Sequence, residues 1–161
     1  MTSRKKLEKD FKKVDLFLRK YIPITREIKF CQEQLYELES EDMDTLRAYN
    51  PSGVRVQTSN IFNAIEDAVI RKEIATEELN SQIMKLAKKK DKIDKFIEWL
   101  NYDKYIDRYT VIRKYYCNDM RTSEIAKDMG ITISTVSKIK KLAIRYLINV
   151  YDDSREVWDL I

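Results

Sequence analysis

The chain contains very few of the residues that turns require. Its 161 residues include two glycines and two prolines. Because β-sheets need frequent turns, and turns favour Gly, Pro and Asn, so small a supply predicts a few long helices. The charged fraction of 36% exceeds the quarter that is usual for a globular chain. We therefore expect an all-α fold whose helices are long and largely face solvent.

Apolar residues recur at helical spacing through the first hundred residues. The series Leu7, Phe11, Val14, Leu18 and Tyr21 predicts a helix over 3–21, and a similar series predicts a second helix over 23–48. Pro23 is expected in the first turn of that second helix, where proline is tolerated. The stretch 49–60 contains Asn-Pro and Ser-Gly and predicts a loop. A long helix should follow over 59–100.

The packing of these three helices is left open by the sequence. The first helix is basic and the exposed face of the second is acidic, so the two either form an antiparallel hairpin or leave the acidic face solvated. The long helix carries a heptad-like apolar stripe and cannot be stable alone. It must pack on the first two helices, on a second copy of the chain, or on both. We expect a coiled-coil-like region over 1–100 in which packing within the chain is favoured, and a homodimer through the N-terminal or the long helix is the alternative.

Positive charge is concentrated in two parts of the chain. Residues 1–20 carry a net charge of +5 and residues 119–151 a net charge of +3. Clustered cations suit a polyphosphate partner. Between them, Tyr105, Ile106, Tyr109, Ile112 and Tyr116 share one side of a predicted fourth helix over 104–117. The tyrosines are expected to pack in the core.

The residues from Arg121 to Lys141 have the pattern of a helix-turn-helix. The first helix is predicted to begin with Thr122 as a hydroxyl N-cap, and Gly130 supplies the positive φ that the turn needs. Thr132 can cap the second helix, and Leu142 is expected on its inner side. The residues that we predict to hold the motif together are Ile125, Ala126, Gly130, Ile131, Val136 and Ile139.

The outer face of the second helix combines small hydroxyl side chains with cations. Between Thr132 and Tyr151 the chain has no acid and four cations, which are Lys138, Lys140, Lys141 and Arg145. Because a solvated helix normally mixes charge signs, this one-sidedness favours a phosphate partner. The outward residues are predicted to be Ile133, Ser134, Ser137, Lys138 and Lys141. Residues at the helix start can meet base edges, and the lysines can meet phosphates.

The segment over 104–150 resembles region 4 of bacterial sigma factors, which binds the −35 promoter element. The resemblance is carried by Tyr115-Tyr116, by Thr122–Ile131, by Ser134–Ile139 and by Ala143–Leu147. The order of elements along the whole chain also resembles the phage ArpU/RinA group of late transcription regulators. The resemblance implies that Ser134, Thr135, Ser137, Lys138 and Lys141 read DNA. With the cap and the last cation, the predicted DNA-binding set is Thr132, Ile133, Ser134, Thr135, Ser137, Lys138, Lys141 and Arg145.

The start of the second helix departs from the sigma-like pattern. Related recognition helices often carry arginine or glutamate there, whereas this chain has Ile133 and Ser134. Specificity is therefore expected to depend on apolar contact with thymine methyl groups and on DNA shape.

Several function classes are disfavoured by the composition. The chain has no histidine and no glycine-rich phosphate loop, so we expect neither an enzyme nor a cofactor. Two distant cysteines, Cys31 and Cys117, match no zinc-site spacing and are expected to be buried thiols. No apolar run has the length of a membrane span, and the N-terminus does not resemble a signal peptide. We therefore expect a cytoplasmic protein of a bacterial host cell.

The leading expectation is a sequence-specific transcription regulator that binds double-stranded DNA and activates phage late or packaging genes. It would either contact host RNA polymerase or replace the −35 contact of a sigma factor. The alternatives are a packaging component similar to a small terminase subunit, and a coiled-coil adaptor that uses its helix-turn-helix against protein. The DNA-binding domain is predicted to span 101–161.

Overall fold

The structure, a computed structural model, describes residues 3–48, 58–101 and 103–153 and confirms the all-α fold. In these ranges the chain forms α1 (Ser3–Arg19), α2 (Tyr21–Ala48), α3 (Thr58–Glu98), α4 (Ile106–Ile112), α5 (Thr122–Met129) and α6 (Ile133–Asp153). A 3₁₀ turn, Asp103–Tyr105, precedes α4, and a π-helical turn, Arg113–Cys117, follows it. No strand occurs within the described ranges. The predicted loop lies outside the described residues, apart from 58–60, which belong to α3.

A single residue separates the first two helices. Lys20 donates its backbone N–H to the Phe17 carbonyl at 3.2 Å, and its own carbonyl accepts from Ile24 N–H at 3.1 Å. The second helix thus begins two residues earlier than predicted, and Pro23 lies in its first turn. Proline is accommodated there because the first N–H groups of a helix have no partner inside it.

The chain groups into two compact units, and the grouping differs from the predicted boundary at residue 100. The first unit comprises residues 1–25 and 89–161, and the second comprises residues 26–88. The first helix therefore belongs with the C-terminal segment. In the first unit α1, α4 and α5 all pack on α6. The apolar face of α1, which the hairpin alternative would place against α2, is thus covered by α6.

The core of the first unit is built mainly from aliphatic side chains. Val14 and Leu18 of α1 are fully buried, and the Phe17 ring meets the Phe96 ring edge-to-face at 5.7 Å between centroids. The other buried side chains of this core that come from outside the helix-turn-helix are Tyr21, Ile24, Ile93, Ile97, Leu100, Val111, Ile112 and Tyr116. Edge-to-face ring pairs add to the stability that burial provides.

The fourth predicted helix is divided into three helical types, with a 3₁₀ turn at its start and a π turn at its end. Asn118 N–H bonds to the Arg113 carbonyl at 3.1 Å, and Met120 N–H bonds to the Lys114 carbonyl at 3.0 Å. These wider spacings close the π turn. Asp119 has a φ of 57°, which is the left-handed region that Asp and Asn tolerate better than other side chains. Asn118 and Asp119 end the helix, as predicted.

An ion-pair cluster ties the π turn to the end of α3. The Arg113 guanidinium donates to Asp94 at 2.5 Å and to Glu98 at 2.9 Å. Tyr109 Oη donates to the same Glu98 carboxylate at 2.9 Å. These hydrogen bonds, from Tyr109 and then from Arg113, lower the pKa of Glu98. Burial lowers the pKa of Arg113, but the hydrogen bonds of Tyr109, Glu98 and Asp94 raise it on balance.

A hydrogen bond joins α1 to the same turn. Tyr116, which is 2% exposed, donates its hydroxyl to the Asp15 carboxylate, and Arg19 Nε donates to that carboxylate at 2.7 Å. Burial and then the hydrogen bond to Asp15 raise the pKa of Tyr116. The hydroxyl therefore stays protonated and remains a donor across the ordinary pH range. Burial of the tyrosines is confirmed for Tyr116, whereas Ile106 is exposed.

The tie between α1 and the π turn should be measurable in stability. Tyr116→Phe removes the hydroxyl and leaves the Asp15 carboxylate with Arg19 alone, so the free energy of unfolding should fall by about 1 kcal/mol. Tyr36→Phe removes a hydroxyl from an exposed side chain of α2 and should leave stability unchanged. Urea denaturation of both variants tests this. Equal stabilities would contradict the role given to the hydrogen bond.

Candidate nucleic-acid interface

The start of α5 is capped by a carboxylate. Arg121 occupies the N-cap position with extended backbone angles, and its backbone N–H donates to Glu124 Oε2 at 2.7 Å. The prediction that Thr122 is the N-cap is therefore wrong, because Thr122 is the first residue of the helix itself. A carboxylate in the first turn serves instead, and it also interacts favourably with the helix dipole.

The turn between α5 and α6 is a Schellman motif centred on Gly130. Gly130 has a φ of +66°. Its N–H bonds to the Lys127 carbonyl at 3.4 Å, and Ile131 N–H bonds to the Ala126 carbonyl at 3.0 Å. This pair of bonds satisfies carbonyls that the end of a helix leaves open. Ile131 then packs against the core formed by Ile125 and Ala126, so the turn is fixed by both hydrogen bonds and apolar contact.

A small core holds the two helices of the motif at a fixed position. Its four buried members come from three helices and are Val111, Ile125, Ala126 and Val136. Partly buried side chains surround them, namely Tyr115, Met120, Met129, Ile131 and Ile139. Ala126 is 5% exposed, and its short side chain is compatible with the packing of α5 on α6. All six residues assigned to the motif's framework therefore lie in this core or in its turn.

The start of α6 is capped by threonine. Thr135 N–H donates to Thr132 Oγ1 at 3.2 Å, and the two hydroxyls lie 2.8 Å apart. Thr132 is thus the N-cap. Both hydroxyls are engaged in holding the helix start, and this gives Thr132 and Thr135 a structural role besides any contact with DNA.

One face of α6 is exposed and cationic. Ser134, Lys138, Lys141 and Arg145 are exposed and follow one another at steps of 4, 3 and 4 residues. They therefore form a single stripe about 16 Å long at 1.5 Å per residue. Within the described part of the chain, Lys138, Lys141 and Arg145 make no ion pair. Their charges remain available to an external anion.

The first turn of α6 adds apolar and hydroxyl groups to this face. Ile133 is 53% exposed. Ser134 is exposed and Ser137 is half-buried. The face thus offers one methyl-bearing side chain and two small hydroxyl groups, followed by three cations.

One cation of α6 lies off the stripe, and one residue lies elsewhere than expected. Lys140 is half-buried, and its Nζ lies 3.8 Å above the Tyr115 ring, so only three of the four cations belong to the stripe. Leu142 was expected on the inner side but is 46% exposed. The inner face is instead taken by Val136, Ala143, Ile144 and Leu147. Leu142 precedes Ala143 by one position and is therefore rotated by about 100° from the buried side.

A cluster of aromatic rings and cations beside α6 was not found from the sequence. The rings of Tyr105 and Tyr146 lie 4.6 Å apart, and the Arg108 guanidinium lies 4.5 Å from the Tyr105 ring. Lys104 Nζ lies 5.8 Å from the same ring. Helical spacing predicted that the tyrosines pack, but which helix would receive Tyr105 depends on the tertiary fold.

The described residues offer this face as the candidate binding site. They contain no grouping of three His, Cys, Asp or Glu side chains suited to a metal ion. None of the helices in the described ranges is both long and apolar enough to cross a membrane. Cys31 is buried, whereas Cys117 is half-buried and not fully buried as expected. No protein-family model matches the chain, and no curated protein or solved structure is significantly similar to it.

The turn assignment can be tested at Gly130. A Cβ at this position would meet no atom within 4 Å, so any cost of substitution comes from the backbone angle alone. Gly130→Val should lower the free energy of unfolding by at least about 1–2 kcal/mol, because a β-branched residue resists a positive φ. Gly130→Asn is the matched control and should cost less. Thermal unfolding that is the same for valine and wild type would refute the assignment.

Proposed function

We propose that this chain is a sequence-specific protein that binds double-stranded DNA and regulates transcription. The observation that carries the proposal is the exposed stripe of α6, in which three cations that make no ion pair within the described residues follow small hydroxyl side chains. This stripe lies opposite the buried side of a helix that is held by a helix-turn-helix core. A helix of this kind can enter the major groove, where its first residues meet bases and its lysines meet phosphates.

The charge of the two units supports the same proposal. Residues 1–25 and 89–161 carry 23 Lys and Arg against 15 Asp and Glu, a net charge of +8. Residues 26–88 carry 8 against 12, a net charge of −4. The unit that contains the helix-turn-helix is thus the cationic one. Neutralisation of DNA phosphates by cations supplies most of the affinity of such proteins.

The residues at the start of α6 suggest how a sequence would be read. None of Ile133, Ser134 and Ser137 can make the two parallel hydrogen bonds by which arginine reads guanine. Ile133 can instead contact a thymine methyl group, and the serine hydroxyls can donate or accept one bond each. The preferred site is therefore expected to contain thymine at the Ile133 position, with further preference set by DNA shape.

A role in transcription is supported by the resemblance of residues 104–150 to sigma region 4. On this proposal the protein acts in the cytoplasm of a bacterial host, at phage late or packaging genes, and host RNA polymerase is a partner. Selection of bound sites from random DNA would first identify the operator. Footprinting would then place it relative to a promoter, where overlap with the −35 element indicates a sigma-like contact and an upstream position indicates an activator. A protein that selects no sequence would refute the proposal.

The cationic stripe should determine the salt dependence of DNA binding. Lys138→Ala/Lys141→Ala removes two phosphate contacts, so the slope of log K against log salt should flatten by roughly two. Affinity should fall for all sequences alike. Lys29→Ala/Lys95→Ala removes the same charge from exposed positions on α2 and α3 and should leave the slope unchanged. Fluorescence anisotropy over a salt series measures both, and identical slopes would contradict the assigned face.

Base preference should depend on the exposed aliphatic side chain of α6. Ile133→Ala should reduce discrimination between the selected site and a variant lacking the thymine by several-fold, because the methyl contact is lost. Affinity for unrelated DNA should stay the same. Ile106→Ala, at another exposed isoleucine of the first unit, is the control. Competition binding with the two duplexes checks this, and unchanged discrimination would rule out the thymine contact.

A further inference from the structure

The second unit buries few of its apolar side chains. Among its described residues, Cys31 and Leu86 are buried, whereas six large apolar side chains are exposed, namely Phe30, Tyr36, Val69, Ile70, Ile74 and Met84. One polar contact between its two helices is a long hydrogen bond, at 3.8 Å, from the Cys31 thiol to Gln82. Three of the six, Ile70, Ile74 and Met84, lie on one side of α3, and exposed apolar groups that share one face mark an interaction surface.

Within this unit α3 has two faces at coiled-coil spacing. One face is buried or half-buried and consists of Lys72, Thr76, Leu79, Ile83 and Leu86. The other face is exposed and consists of Ile70, Ile74, Glu77, Ser81, Met84 and Lys88. Both series advance in alternating steps of 4 and 3 residues, so the members of each lie on one side of α3. The exposed series, which we call the outer stripe, includes three apolar residues, Ile70, Ile74 and Met84, and no helix packs on it within the described part of the unit.

The charges along the outer stripe change sign from one end to the other. Five exposed carboxylates lie on or beside its first half, at Glu66, Asp67, Glu73, Glu77 and Glu78, together with one exposed cation, Arg71. Two exposed lysines, Lys85 and Lys88, lie on or beside its second half. A parallel copy would place carboxylates against carboxylates. An antiparallel copy places the lysines of each chain against the carboxylates of the other, which lowers the electrostatic energy.

We propose that a second copy of this chain packs antiparallel on the outer stripe. The two copies are related by a twofold axis, so every contact occurs twice. The register that places Ile74 opposite Met84 of the second copy also places Ile70 opposite Lys88 and Glu77 opposite Ser81. The aliphatic stem of Lys88 covers Ile70 of the second copy. Its ammonium group reaches Glu66 and Glu73 of the second copy, whose carboxylates lie one helical turn before and one helical turn after that Ile70.

The outer stripe itself favours a second copy of this chain as the partner. When the stripe is laid antiparallel on a second copy of itself, cations meet carboxylates at both ends. A twofold interface requires this self-complementarity, whereas an unrelated partner would have a complementary charge pattern only by chance. The net charge of −4 for residues 26–88 does not favour a polyanion. The polar layer of Glu77 and Ser81 at the centre fixes one register, as single polar core residues do in coiled coils. This proposal does not rest on DNA binding, and its tests are made without DNA.

The first test is the oligomeric state of the full chain by sedimentation equilibrium. Wild type should be a dimer at low salt and should dissociate as salt is raised. Ile74→Asp should be a monomer at the same concentrations. Val69→Asp adds the same charge at an exposed apolar residue rotated about 100° from Ile70, and it should remain a dimer. Circular dichroism of both variants verifies that the helices persist.

The second test exchanges charges across the interface. Lys85→Glu/Lys88→Glu should weaken dimerisation at least tenfold, because carboxylates then face carboxylates. Adding Glu66→Lys/Glu73→Lys to the same chain should restore the dimer, because the new lysines of each copy then face the new carboxylates of the other. A quadruple variant that stays monomeric would overturn the charge argument.

The third test determines the direction of the helices by cross-linking. In the proposed register Glu77 lies directly opposite Ser81 of the second copy, whereas the two copies of Ile70 are about 27 Å apart at 1.5 Å per residue. Glu77→Cys/Ser81→Cys should therefore form an intermolecular disulfide, and Ile70→Cys should not. Wild type controls for Cys31 and Cys117. A monomeric wild type, a dimer that survives Ile74→Asp, or a cross-link through Ile70→Cys in place of Glu77→Cys/Ser81→Cys would each overturn the proposal.

Discussion

The burial of one side of α6 determines where every charge on that helix lies. Val136, Ala143, Ile144 and Leu147 are fully buried, and burying each large aliphatic side chain stabilises the fold by about 1.5–3 kcal/mol. Rotating the helix by one residue position would expose this stripe and press Lys138 or Lys141 into the core. The apolar side therefore holds the cationic side in place without any ion pair to position it. Burial alone does not determine the residue at which α6 begins. The Schellman turn at Gly130 and the cap at Thr132 determine it.

The same logic explains why α1 belongs to the unit that contains the helix-turn-helix. Three helices pack on α6, and the α1 side chains Val14 and Leu18 are as deeply buried as those of α6 itself. The hydrogen bond from Tyr116 to Asp15 joins residues a hundred positions apart. A fragment lacking α1 would expose this part of the core. The basic N-terminal segment and the cations of α6 are thus parts of one body with a net positive charge, and the net negative charge is confined to residues 26–88.

Much of this fold could be predicted from the sequence because helical periodicity is a local signal. The apolar series located all the helices within a few residues, and Gly130 located the turn, because glycine adopts a positive φ without steric cost. What failed depends on long-range packing. The break at Lys20 has no local signal stronger than Pro23 three residues later. Leu142 was placed on the wrong side of α6. Neighbouring positions differ by about 100°, and which of them is buried depends on which helices pack on α6. The Tyr105–Tyr146 contact and the grouping of α1 with α6 are tertiary features that one-dimensional spacing does not carry.

Dimerisation through the outer stripe would compensate for the modest base specificity that is expected of a single α6. On the proposed function, a helix that begins with isoleucine and serine lacks the bidentate hydrogen bonds that give about 1–3 kcal/mol of discrimination each, so one copy would bind DNA with modest specificity. Joining two copies makes the second binding event intramolecular, and it raises the apparent affinity by the effective concentration of the second site. Because each copy discriminates weakly between bases, tight binding requires both half-sites. The specificity of the dimer is therefore higher than that of one copy. The two interfaces also differ in their response to salt. The outer stripe has apolar layers as well as charges, whereas phosphate contacts weaken with every released counterion, so raising the salt should release DNA before it separates the two copies.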